Sequence, residues 1–185
     1  MNVKDAIEAR RAYRALGAVE ITDGIVDELA KAAQLAPSCF NNQPWRFVFV
    51  RAPGQMEKMR AAMSKGNEWT FKATMYVAVC ARKEDDCVIK DREYYLFDTG
   101  IAVGQMLLRA TELGLVAHPI AGYSPTKVRE ALGIPAEYQV ITIINVGKKV
   151  QDTSGLSEGQ AEAEMARPER ELLEKFAFID RFQRN

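Results

Sequence analysis

The chain has 185 residues, 48% of them hydrophobic, and its 25 basic residues equal its 25 acidic ones. Length and composition fit one folded domain spanning 1–185 with a sizeable core. Zero net charge excludes an overall field that would draw the protein to nucleic acid or an anionic membrane, so any bound anion must be gripped locally.

No apolar run approaches the roughly 20 residues that span a bilayer. The opening MNVKDAIEARR carries no apolar signal-peptide core, and a cytoplasmic protein is expected. Three cysteines, Cys39, Cys80 and Cys87, cannot all pair with one another, which suits a reducing compartment. The six residues between Cys80 and Cys87 do not match usual zinc spacing, and no metal site is expected.

A first helix is predicted from about Asn2 toward Arg11, breaking into the arginine-dense turn RRAYRALGAVEIT. Thr22 and Asp23 are N-caps for a second helix with Ile25, Leu29, Ala32, Ala33 and Ala36 on its apolar face, stopped by Pro37. Residues 36–50, APSCFNNQPWRFVFV, change character midway, from uncharged hydrogen-bonding groups to a strand over 46–50. PGQMEKMRAAM reads as helix, MYVAVCA (75–81) as a short buried strand, and KEDDC as a polar surface turn. From about Asp91 to Leu113 there is no proline, and apolar residues occur almost all round. Such a helix needs partners on every side, so it is central and a candidate subunit interface.

Gly114 is the expected C-cap, and LVAHPIAGY leads to Ser124-Pro125, an N-cap followed by proline at the first helical position. The helix SPTKVREALG ends at Gly133, and YQVITIINVG (138–147) is the strongest strand. Residues 150–165 read as a polar, extended or mobile arm, and the amphipathic RPERELLEKFAFIDRF closes the chain. Alternating strands and helices without a repeat give an α/β or α+β class.

Three groups could carry chemistry. EARRAYR places Arg10, Arg11 and Arg14 within five positions. This is either a solvated helix face partnered by Glu8 and Glu20, or a phosphate grip of fork-shaped guanidinium donors that Arg167 and Arg170 would complete. No GxxxxGK[ST] or GxGxxG loop is present, so a bound phosphate must be held by side chains. The second group is the loop before strand 46–50, whose Ser and amides suit a planar heterocycle edged with carbonyls and N–H groups, or simply make a helix-to-strand turn. The third, HPIAGY (118–123), lets backbone approach a ligand, or is a helix-to-helix turn. His118, the sole histidine, reads as structural, and no motif supports a nucleophilic scheme built on it.

These groups, in this order, resemble the nitroreductase family of FMN-dependent oxidoreductases nearly end to end. EARRAYR resembles the family's RR-S-x-R signature, APSCFNNQPWRFVFV its AP-S-xx-N-x-QPW-x-F element, and DTGIAVGQMLLRATELGLVAHPIAGY its D-x-G-x-A central helix and continuation. VREALGIPAEYQVITIINVGKK resembles the helix, turn and final core strand that follow.

The resemblance implies an α+β sandwich with a central antiparallel-rich sheet flanked by helices and an extended C-terminal arm. It implies a homodimer with FMN at the subunit interface, and NADH or NADPH as donor. Arg10, Arg11, position 12 and Arg14 would hold phosphate and pyrimidine edge, with Arg170 and Arg167 closing on the phosphate. Asn67 would contact the pyrimidine ring, and Pro119, Ile120, Ala121 and Gly122 would face the N5 side. Pro37, Ser38, Cys39, Asn41 and Gln43 would reach the neighbouring chain's cofactor. Nitroaromatics, quinones or conjugated carbonyls would be reduced in a ping-pong cycle of hydride transfer through flavin N5, with Arg14 stabilising charge on the reduced flavin. Three positions depart from the pattern: Ala12 replaces the signature serine, Cys39 a second loop serine, and Ala121 an acidic residue of the P-x-E-G turn. A non-catalytic flavin-binding dimer, an offshoot with dehalogenating or flavin-degrading chemistry, and a thiol peroxidase built on Cys39 are the alternatives.

Overall fold

The computed structural model describes residues 1–183. Among these residues seven strands and six α-helices follow one another, and all strand pairings are antiparallel. The fold is α+β. Its centre is β3 (Met75–Ala81), buried at all seven positions, between β2 (Trp45–Val50) and the eleven-residue β7 (Gln139–Lys149). β7 is long enough to serve three partners. Residues 139–146 pair with β3, 143–147 with β6 (Val116–Ile120), and Lys148 and Lys149 with the two-residue β1 (Leu16–Gly17).

A strand apolar at every position must be covered on both faces. Alternation along β3 sends Tyr76, Ala78 and Cys80 into one core with Met56 and Met59 of α3 (Pro53–Arg60), Trp69, and Val128 of α5 (Pro125–Leu132). Met75, Val77 and Val79 enter the other, with Leu29 and Ala33 of α2 (Asp23–Gln34) and Ala102, Met106 and Ala110 of α4 (Tyr95–Glu112). Each fully buried Leu or Met contributes about 1.5–3 kcal/mol of transfer free energy.

Local signals set the boundaries. Asn2 caps α1 (Val3–Ala9) with a reciprocal bond to Asp5, Thr22 caps α2, and Ser124 caps α5. Gly114 and Gly133 take left-handed φ at the ends of α4 and α5.

Several expectations need correction. Residues 91–94 are not helix: Arg92–Glu93 form β5, which pairs with β4 (Val88–Ile89), and α4 begins at Tyr95. KEDDC is not a plain surface turn, since Asp85 accepts from Arg82, Arg46 and Tyr138, and Cys87 is covalently joined to Cys39. The Cys39 thiol is therefore not free, and with only Cys80 unpaired the cysteines no longer speak for the reducing compartment expected of them. HPIAGY is no helix-to-helix turn, its first half being β6. The segment 150–165 contains a capped helix, α6 (Glu158–Met165), held by the reciprocal Ser157–Gln160 pair. α4 buries one stripe but leaves Leu96 and Phe97 on the surface.

Candidate functional site

The segment after α1 runs without regular structure from Arg10 to Ala15 and enters β1. Charge alone would splay its arginines apart. Instead α6 and the turn after it fasten the segment by its backbone. The buried Glu164 carboxylate accepts the N–H of Arg14 at 2.8 Å and of Ala15 at 3.3 Å. Arg11 donates to the carbonyls of Ala163 (2.8 Å) and Ala166 (2.6 Å), its guanidinium lying 4.5 Å from the Tyr13 ring centroid. Arg167 donates in return to the carbonyls of Glu8 and Arg10.

This clasp brings Arg10 beside Arg167 and Arg170. Burial first, then the charges of Arg167 and Arg170, hold the Arg10 guanidinium below its usual range. Three cations gathered at the start and near the end of the chain cost free energy unless an anion joins them.

The cluster continues inward. Arg14 stands over the indole of the buried Trp69 at 5.9 Å, and that indole lies 4.6 Å from the His118 ring. His118 is buried, with Nδ1 3.0 Å from the Tyr13 carbonyl, so that nitrogen carries the hydrogen. Burial, then nearby Arg14 and Arg10, outweigh that bond and push the imidazole down, keeping it neutral at pH 7. The Asn67 side chain takes the Trp69 Nε1–H at 3.2 Å and donates to the Gly122 carbonyl at 2.9 Å. A Cβ on Gly122 would fall 2.0 Å from Asn67 Nδ2, so any larger residue would have to push the Asn67 amide out of this contact. The neighbouring side chains at 119–121 differ. Ile120 is buried in the core, Pro119 is half-buried and Ala121 is exposed. An open cleft of about 880 Å³ adjoins Arg14 and Trp69 and carries Arg51, Arg60 and Lys72 on its walls.

The loop after α2 bonds elsewhere. Ser38 Oγ accepts the Gln43 N–H, Gln43 donates to the Asn41 carbonyl, and the Cys39 N–H donates to buried Asp98 of α4 at 2.6 Å. Phe40, Asn41 and Gln43 all have φ between +48° and +59°. That is tolerable for asparagine but costs of order 1–2 kcal/mol for each of the other two. Phe40 and Asn41 are exposed, as is Pro37. Of the residues singled out from sequence, Arg10, Arg14, Asn67, Gly122, Arg167 and Arg170 are thus associated in one region, and Ala12 is exposed beside them. The loop 37–43 bonds to α4, within itself and, through Asn42 and the Cys39–Cys87 link, to the turn before β4.

Fold and site together define a helix-sandwiched antiparallel α+β protein with a cluster of arginines at the clasp between the segment after α1 and the C-terminal arm, beside a cleft that Arg14 and Trp69 adjoin. The chain matches the Nitroreductase family over residues 7–68 and 61–148, and it belongs to that family. The oxygen-insensitive NADPH nitroreductase of Helicobacter pylori is 28% identical over 171 residues, covering 73% of this chain and 81% of that one. An NADH dehydrogenase of Thermus thermophilus is 25% identical over 183 residues, covering 82% and 89%. A crystal structure described as an oxidoreductase containing FMN superposes with a TM-score of 0.85 at 26% identity, over 99% of this chain and 94% of that one.

Proposed function

We propose that the protein is an FMN-dependent oxidoreductase that uses NADH or NADPH to reduce nitroaromatics, quinones or conjugated carbonyls, as a single-domain homodimer with its cofactor sites at the subunit interface. The observation that carries this reading is the convergence of Arg10, Arg167 and Arg170, three cations with a half-buried guanidinium among them. A phosphate monoester fits such a group by charge and by the fork geometry of guanidinium donors.

The donor set fits the rest of that cofactor as well. Arg14 brings a fixed positive charge beside Trp69, where it would stabilise negative charge developing on a ring system. Asn67 offers an amide at the Gly122 turn, where backbone can approach closely. Bound FMN supplies the hydride acceptor and donor, N5, and the protein supplies position and electrostatics. Arg11 works at one remove, since its donors hold the arm that brings Arg167 and Arg170 to Arg10. The buried, neutral His118 supports Trp69 and needs no part in proton transfer, for which solvent is available.

Exposed apolar side chains support the dimer. Phe97 is 64% exposed on α4, Phe40 84% on the strained loop, and Ile179 83% on the C-terminal arm. A second copy covering them would put the loop that carries Ser38 and Asn41 at the subunit interface, from which the family resemblance has it reach the partner's site. Among the described residues no helix is long and apolar enough to cross a membrane, which is compatible with the cytoplasmic location that the reading assumes.

The test is anaerobic stopped-flow mixing of FMN-loaded protein with NADH or NADPH. Rapid bleaching, followed by recovery on adding a quinone or nitroaromatic, is expected. A flavin that binds but is not bleached by either nucleotide would identify a non-catalytic binder.

A further inference from the structure

We propose that Cys39 and Cys87, once reduced, form with Asp86 a binding site for a borderline-soft divalent cation such as zinc, separate from the arginine cluster of its own chain. The ligand atoms of these three residues lie within 4.8 Å of one another. They come from two segments far apart in sequence, the loop after α2 and the turn before β4, which the Cys39–Cys87 link joins and which the Asn42–Asp86 and Cys39–Asp98 hydrogen bonds hold together as well.

The surroundings are those of a cation site. Asp86 Oδ1 accepts from the Cys87 N–H at 2.8 Å and from Asn42 at 3.3 Å, while its Oδ2 is buried and accepts nothing. Asp98, 2% exposed, stands behind Asp86 and receives the Cys39 N–H. The adjacent Asp85 has Arg46 and Arg82 as ion-pair partners, whereas among the described residues Asp86 and Asp98 have none. Asp86, with Asp98 against it and no cationic side chain paired to either among the described residues, thus flanks the two sulfurs.

With the sulfurs joined, no thiolate charge adds to theirs. Reduction changes this. A small dithiol gives up two electrons and two protons to close its own disulfide, and the Cys39–Cys87 bond opens to two thiols. Metal binding then releases the two thiol protons to solvent and forms two metal–sulfur bonds, so two thiolates and Asp86 meet one dication. Three protein ligands with an open fourth position are an accepted zinc arrangement. Sulfurs 2.3 Å from a tetrahedral zinc lie about 3.8 Å apart. With the Cα atoms 6.2 Å apart, rotation of the two side chains can supply that separation with little backbone movement.

The experiment compares oxidised full-length protein with protein reduced by dithiothreitol, desalted without oxygen and titrated with cobalt(II). The probe is the set of red d–d bands of tetrahedral thiolate-bound cobalt, clear of flavin absorbance. One cobalt per reduced chain is expected, none in the oxidised form, and bleaching of the bands when zinc is added. Cys87→Ser should abolish the bands, and Asp86→Asn should weaken binding at least about ten-fold, with circular dichroism confirming that both variants are folded. Absence of bands in the reduced parent overturns the site, as do bands that survive Cys87→Ser. Unchanged affinity in Asp86→Asn overturns it as well.

Discussion

Arg167 donates to the backbone carbonyl of Arg10 at 2.9 Å across 157 positions of sequence. Among the described residues the two chain segments are held by guanidinium-to-carbonyl bonds and by Glu164 accepting backbone N–H groups, with no ion pair between them, and the cations keep their charge for something else.

Glu164 is the other half of that clasp. Glu164→Ala leaves the Arg14 and Ala15 N–H groups without their carboxylate acceptor. Losing hydrogen bonds to a charged, buried group should lower unfolding free energy by about 1.5–3 kcal/mol, read from urea midpoints. It should also weaken FMN binding, because the arm no longer presents Arg167 and Arg170. A midpoint equal to the parent's would show that the clasp contributes nothing to stability.

Much of this is readable from the chain itself. β3 runs over the seven residues that its apolar pattern marks, and Thr22, Ser124, Gly114 and Gly133 punctuate the helices by local chemistry. What pattern does not carry is long-range partnership. Glu164 is one acid among several in a polar stretch, and only its burial against Arg14 gives it a role. Cys87 sits in a run of charges, and nothing local selects Cys39 over Cys80 as its partner. The LVAHPI stretch has too few residues and a proline, and it becomes a strand because β7 offers an edge.

The sole histidine gives a clean pH signature. Burial holds folded His118 below its ordinary 6.5, so the unfolded chain binds its proton first. Stability is then full above about 6.5 and is lost as pH falls through that value toward the folded one. His118→Asn keeps a donor for the Tyr13 carbonyl but cannot titrate. The parent should lose more unfolding free energy than His118→Asn between pH 7.5 and 5.5. Parallel curves would refute a buried neutral imidazole.

The Cys39–Cys87 link closes a loop with a sequence separation of 48. Crosslinks of that span stabilise by about 2–4 kcal/mol, so reduction should lower the unfolding free energy by that amount, and Cys39→Ser should do the same. Cys80, buried with its thiol pushed up to about 11, should be unreactive in the native state. Denatured, oxidised protein should then titrate one thiol, and denatured, reduced protein three. Three thiols without reductant would contradict the link.

If Arg10 and Asn41 serve one site from two chains, Arg10→Ala and Asn41→Ala homodimers each carry two damaged sites. Co-refolded with excess FMN, they should form about half heterodimers by random pairing, leaving about a quarter of all sites intact. Activity near that fraction of the parent's is expected. A mixture no more active than the separate variants, with heterodimers confirmed by subunit tags, would rule out a shared site.

The central claim is that the convergent arginines hold a flavin phosphate, and the most direct measurement compares FMN with riboflavin, which lacks it, on the parent and on Arg10→Ala. The parent should bind FMN much more tightly than riboflavin. Arg10→Ala should lose about 1.5–3 kcal/mol, or roughly 10- to 150-fold, toward FMN, with riboflavin affinity nearly unchanged. Equal affinity of the parent for both flavins, or an equal loss for both in Arg10→Ala, would contradict the assignment.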